Sequence, residues 1–283
     1  MDIIVLNFFA GLRSATATFF AAFFSFAGEE RLLIPLAAAV YWCADELAGE
    51  RLLLTLFSSA TLNAYLKKQV RRLRPFAAGD AEKIPLDNFF VSTEKLKENA
   101  SFPSGHAQLS AALYGGFAFG KKGVFRKIAY FFLLLFICIA RVYLGVHYPT
   151  DVLTGAFLGL LAAAFWQWVY TRRPNDRYLY AWLFCIAAGA GALATHAKHY
   201  LFSFGALCGV TAGGFSTFKA IKQPYRVKFF KKCLRFIVGI AGMVGLYYAC
   251  GVFTGEFYEW LYGFASALWI VLIAPFIFKI FKF

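Results

Sequence analysis

Three stretches of this chain carry side chains whose types and spacing suit chemistry on an anion. The first is Arg141-x5-His147-x3-Asp151. Pro149 is suited to a helix's first turn, which puts Asp151 in that turn and within reach of the preceding imidazole. A carboxylate there can accept the N–H of one ring nitrogen and leave the other nitrogen free to attack. Taken alone, the same spacing reads more simply as a structural helix cap. The second stretch is Ser101-Phe102-Pro103-Ser104-Gly105-His106, just ahead of an apolar run. Free backbone N–H groups and the positive end of a helix dipole attract anions, phosphate among them. In isolation it too reads as an N-cap followed by a histidine. The third is the basic run from Lys67 to Arg74, closed by Pro75. Lys67, Arg71 and Arg74 stand at i, i+4 and i+7, which predicts one stripe over two turns of helix. Basic residues snorkelling from a helix end are the competing reading.

These residues need rigid elements to hold them, and the composition says which kind. Of 283 residues, 60% are hydrophobic and 20% aromatic, with a mean hydropathy of +0.61. That is too apolar for one soluble core. The apolar residues come in blocks of roughly 17–25, long enough to cross a bilayer as helices. The chain reads as an all-α polytopic membrane protein of about ten helices. The first runs over about 3–27 and either spans or lies in the interface. Others cover 32–44, 51–66, 104–120, 128–141 and 149–170, and four apolar blocks follow over 178–195, 200–218, 234–251 and 258–278. Residues 76–102 form a long polar loop, of the kind that serves as a lid or binding segment. The C-terminal blocks hold many glycines and alanines, which let membrane helices approach closely.

The net charge of +14 would suggest nucleic acid in a soluble chain, but here it belongs to the connections, so no nucleic-acid partner is expected. Lys and Arg are more numerous in the connections on one side, which the positive-inside rule makes cytoplasmic. The Lys67–Arg74 run, the start of the Ser104 helix, Arg141 and His147 then share the opposite, extracytoplasmic face. The chain opens Met-Asp with no basic n-region or clear cleavage site, so the first helix is expected to stay. Six cysteines are scattered singly, without redox or metal-ligand spacing. His196 and His199, three apart, could hold a metal but read more simply as interfacial polar residues. Tyr143 and Tyr148 flank His147 and suit either pocket lining or interfacial anchoring.

In this order, Lys67-x6-Arg74-Pro75, Pro103-Ser104-Gly105-His106 and Arg141-x5-His147-x3-Asp151 resemble the three signature motifs of the type 2 phosphatidic acid phosphatase superfamily. The resemblance covers about residues 28–170. It implies a six-helix PAP2-like catalytic core over 1–171, followed by a C-terminal extension of four transmembrane helices over 172–283. It also implies that Lys67, Arg74 and Arg141 hold phosphate oxygens, with Ser104 and the Gly105 N–H as further donors. His147, oriented by Asp151, would be the nucleophile, giving a phosphohistidine, and His106 the acid that protonates the leaving oxygen. One residue departs from the family pattern: Ala140 stands where a serine usually precedes the arginine, which removes a potential hydrogen bond.

The function implied is hydrolysis of a lipid phosphate or pyrophosphate at the extracytoplasmic face of the plasma membrane, with no metal or other cofactor. Phosphatidate, phosphatidylglycerophosphate and polyprenyl pyrophosphate are the candidate substrate types, and the partners are the lipid substrate and the bilayer. The alternatives are a lipid phosphotransferase using the same phosphohistidine, or a membrane transporter or scaffold carrying such a site. The sequence does not indicate the oligomeric state.

Overall fold

The computed structural model describes residues 1–81, 100–120, 123–195, 197–220, 227–250 and 254–283. The described residues are helical, joined by turns and loops, with no strand among them. In chain order the helices are α1 (Asp2–Gly11), α2 (Ala15–Ala27), α3 (Glu30–Cys43), α4 (Glu46–Val70), the short α5 (Pro75–Ala78), α6 (Gly105–Gly120), α7 (Val124–Tyr143) and α8 (Pro149–Arg172). After a 3-10 turn at Pro174–Asp176 come α9 (Arg177–Ala192), α10 (Lys198–Ala220), α11 (Phe229–Cys250), α12 (Glu256–Leu268) and α13 (Ala274–Ile280), the last two joined by a π turn at Trp269–Ile273. Pro149–Arg172, Phe229–Cys250 and Glu256–Ile280 are each long and apolar enough to cross a membrane.

The structure redraws two expected elements. The first helix is two helices, because Ser14 adopts an extended backbone and accepts the Ala17 N–H at 3.2 Å, so that it caps a new helix. Neither piece, of 10 and 13 residues, is long enough for a hydrocarbon core of about 30 Å at 1.5 Å per residue. The basic stripe at the end of α4 also breaks. The helix stops at Val70 because Arg71 turns to a positive φ of 51°, and Arg74 is extended at φ −76°, ψ 153°. Lys67 and Arg74 are therefore not successive turns of one helix. Arg71 is exposed and donates to its own turn, from Nε to Lys68 O at 2.9 Å.

The chain forms two compact units, Met1–Leu33 with Leu62–Ala164, and Ile34–Thr61 with Phe165–Phe283. In the first, α6 packs on α7, and α7 packs on α2. The second holds α10 against α12 so closely that a β-carbon at Gly205 would lie 2.0 Å from Trp260 O, and one at Gly263 2.0 Å from Phe202 O. This is the small-residue packing that membrane helices use where lipid removes any hydrophobic drive between them. Within the same unit Trp42 Nε1 donates to Ile270 O at 2.8 Å, and Tyr41 OH to Val271 O at 3.0 Å. Glu50, 3% exposed, accepts from Arg177 Nε at 3.2 Å, from Tyr178 OH at 3.0 Å and from Tyr170 OH.

Candidate active site

Every residue of the three motifs lies in the first unit. The Ser101–His106 stretch is pinned before its helix begins. Asn63, on α4, donates from Nδ2 to Pro103 O at 3.3 Å and to Gln108 Oε1 at 2.8 Å. Ser104 N–H donates to Asp151 O at 2.9 Å, tying the start of α6 to the first turn of α8. Gly105 opens α6 where a β-carbon would come 3.3 Å from Asn63 Oδ1. The two helices then touch: a β-carbon at Gly159 would lie 2.1 Å from Gln108 O. The helix terminus and the His147–Asp151 pair are thus set by one rigid contact.

His147 sits in the connection between α7 and α8, which turns at Gly145 with φ 67°. It is 1% exposed and Asp151 0%. Arg74 NH1 donates to Val146 O at 2.9 Å and lies 3.1 Å from His147 Nε2. A guanidinium has no acceptor, so Nε2 is the acceptor and carries the lone pair. The neutral ring therefore holds its hydrogen on Nδ1. Burial first, and then the charges of Arg74, Arg141 and Lys67, hold the imidazole well below its ordinary range. Burial also lowers Arg74, to about 10, which leaves it charged at neutral pH.

The other cations approach from separate elements. Lys67, half-buried at the end of α4, donates from Nζ to Ala100 O at 2.6 Å. Arg141, 1% exposed near the end of α7, donates from NH1 to Ser25 Oγ. Lys67, Arg74 and Arg141 all act electrostatically on His106 and on His147. The buried Ser104 Oγ, His106 Nε2 and Arg141 Nε atoms have no hydrogen-bond partner among the described residues. Burying such groups unpaired costs about 1–3 kcal/mol each, and all three belong to residues expected to meet a phosphoryl group. Glu29 Oε1 stands 4.0 Å from His106 Nε2.

The structure therefore brings Lys67, Arg74, Ser104, Gly105, His106, Arg141, His147 and Asp151 into one unit, and leaves Arg71 outside the group. Two participants had no role from the sequence. Ser101 donates to Asp151 Oδ2 and stands 3.3 Å from His147 Nδ1. Arg72 NH1 pairs with Asp151 Oδ1 at 2.9 Å, its NH2 with Asp2 Oδ2 at 2.9 Å, and its guanidinium lies 3.8 Å over the Tyr148 ring. Both were in view, Ser101 at the head of the second motif and Arg72 inside the basic run. Neither has a spacing that distinguishes it from its neighbours. Tyr148 OH donates to Asp80 Oδ2 at 2.6 Å, whereas Tyr143 OH accepts the Ser14 N–H at 3.2 Å and so ties α7 to α2. Ala140 is buried in an apolar cluster with Ala21, Tyr143, Leu144 and Val146. His196, of the His196–His199 pair, lies outside the described residues, as does most of the polar loop after Asp80.

The fold and the site together define an integral membrane protein of α-helices, built around a histidine held among fixed cations. The profile of the PAP2 superfamily matches residues 48–175, and that of the transmembrane extension of PAP2 superfamily phosphatases matches residues 201–283. The chain belongs to the PAP2 superfamily. It is similar to phosphatidylglycerophosphatase B of Bacillus subtilis strain 168, 32% identical over 139 residues, which cover 46% of this chain and 62% of that protein. The match thus spans less than two thirds of the relative's length. A crystal structure of a transmembrane PAP2-type phosphatidylglycerolphosphate phosphatase from Bacillus subtilis is 26% identical, covers 61% of this chain and 86% of its own, and superposes with a TM-score of 0.50. That of Aquifex aeolicus LpxE is 22% identical, with coverage of 58% and 93% and a TM-score of 0.48.

Proposed function

We propose that this protein is a membrane phosphatase acting on a lipid phosphate or pyrophosphate, of phosphatidate, phosphatidylglycerophosphate or polyprenyl pyrophosphate type. It works through a phosphohistidine, at the extracytoplasmic face of the plasma membrane. The observation that carries this reading is His147 Nε2. It is a neutral, acceptor-only nitrogen within 3.1 Å of Arg74, and it lies in the field of two further cations. The similarity to phosphatidylglycerophosphatase B supports the substrate class.

The chemistry belongs to residues 1–171. Lys67, Arg74 and Arg141, with Ser104 Oγ and the Gly105 N–H, receive the phosphoryl oxygens; Arg141 Nε and Ser104 Oγ then gain the partners they lack. Arg74 turns from Nε2 to the phosphoryl group as the substrate enters. Nε2 attacks phosphorus, the P–O bond to the lipid breaks, and His106 gives its proton to the leaving oxygen. In the second step His106 takes a proton from water, whose oxygen attacks phosphorus and releases inorganic phosphate from His147. Three fixed cations supply the charge stabilisation that phosphoryl transfer needs.

Purified protein assayed against a panel of lipid phosphates, with and without a chelator, tests the reading. Turnover should persist in chelator, release inorganic phosphate without an acceptor lipid, and be lost in His147→Ala. Turnover in the alanine variant, or loss on chelation, would overturn the mechanism. Turnover only with an acceptor lipid would make the protein a transferase.

A further inference from the structure

Asp151 and the imidazole it is expected to orient do not meet directly. His147 Nδ1 stands 3.7 Å from Asp151 Oδ2, beyond the roughly 2.7–3.2 Å of an N–H···O hydrogen bond. Ser101 Oγ reaches both: it donates to Asp151 Oδ2 and lies 3.3 Å from Nδ1. The carboxylate has two further partners. Oδ2 also accepts the Tyr148 N–H at 2.9 Å, and Oδ1 takes Arg72 NH1 at 2.9 Å. Ser101 is itself fixed, 0% exposed, with its N–H donating to Arg72 O at 2.8 Å.

Hydrogen counting gives the chain a single direction. Arg74 can only donate to Nε2, so Nδ1 bears the ring hydrogen and donates to Ser101 Oγ. The one hydroxyl hydrogen of Ser101 then goes to the carboxylate. Among the described residues this hydroxyl makes no hydrogen bond to the backbone, so it does not serve as a cap for α6. We propose that Ser101 is a positioning residue through which Asp151 acts on His147, holding the Nδ1–H tautomer and leaving Nε2 to attack. The relay rests on the phosphohistidine reading above. As Nε2 bonds to phosphorus, the positive charge that develops on the ring is met by the carboxylate through a polarised hydroxyl.

Two measurements on the full-length protein in lipid nanodiscs test this. The first is the kcat of wild type, Ser101→Ala, Asp151→Asn and the double variant with phosphatidylglycerophosphate. Each single change should lower kcat about 10–100-fold with KM within about threefold. The double variant should fall no more than about threefold below the worse single, because linked groups fail together. Losses that multiply, or a wild-type kcat in Ser101→Ala, would overturn the relay. The second is the ¹⁵N spectrum of histidine-labelled protein. With four histidines in the chain, His147 is assigned by its loss in His147→Ala. Its Nδ1–H tautomer should dominate in wild type and give way to a mixture in Ser101→Ala. An unchanged spectrum would overturn the proposal even if the wild type hydrolysed no lipid phosphate, an outcome that sinks the functional reading separately. If Ser101→Ala does not fold, Ser101→Cys carries the same spectral test, since a thiol is a poor relay of similar size.

Discussion

At the scale of single residues, the site gathers three cations, Lys67, Arg74 and Arg141, whose charge bears on both of its histidines. The pH dependence follows from this. An imidazole that attacks must be neutral, and His147 is held below its ordinary range by burial and by three cations. It therefore stays neutral, and on the proposed mechanism competent to attack, down through the pH where a free histidine, near 6.5, would protonate. The acid limb that His147 contributes to the kcat/KM profile should lie below about pH 6.5. Arg74→Gln removes one of the cations, so the limb should move toward higher pH while kcat/KM falls about 10²–10³-fold. A pH–rate profile of the two proteins checks both, and a limb that stays in place would show that Arg74 does not set the His147 charge state. The motif residues were legible at this scale because each is identified by its neighbours in the chain. Ser101 was not, because its partners are 46 and 50 positions away.

At the scale of elements, what matters is which helix ends are brought together and how closely. The contact of α6 with α8 has no room for a side chain at Gly159, where a β-carbon would fall 2.1 Å from Gln108 O. Gly159→Ala should therefore push α6 away from α8, at a cost of about 1–3 kcal/mol. It should also lower turnover, because the Ser104 N–H bond to Asp151 O spans the same contact. Thermal unfolding measured beside the lipid phosphatase assay tests this; a fully active variant with an unchanged Tm would refute it. The end of α4 makes the opposite point. Helical spacing groups Lys67, Arg71 and Arg74, yet the positive φ of Arg71 ends the helix first and exposes that side chain. The switch of conformation, not the spacing, delivers Arg72 and Arg74 to Asp151 and His147.

At the scale of the whole molecule, the C-terminal helices are structural partners of the early ones. Ile34–Thr61 belongs to the same compact unit as Phe165–Phe283, and Tyr41, Trp42 and Glu50 take partners there. A chain ending after Arg172 would lose Arg177 and Tyr178 from the buried Glu50. Breaking a buried pair costs about 3–5 kcal/mol, against a total stability of about 5–15 kcal/mol. Such a truncation should yield little folded protein, as judged by detergent-solubilised, monodisperse material; a stable, active fragment would refute this. Orientation is tested on intact cells with Ala78→Cys, at an exposed position of α5, in a background without the native cysteines. An impermeant maleimide should label it from outside. Absence of labelling, with external controls labelled, would reverse the assignment of the face.

Composition was enough to read helices and membrane, since apolar block length constrains these directly, and the order of the three motifs carried the resemblance to the PAP2 superfamily. Which hydroxyl stands between His147 and Asp151, where α4 stops, and which early segment joins the C-terminal helices depend on groups far apart in the chain. Pairwise packing and hydrogen-bond satisfaction settle such questions. They are solved jointly across elements, so no local window of residues contains the answer.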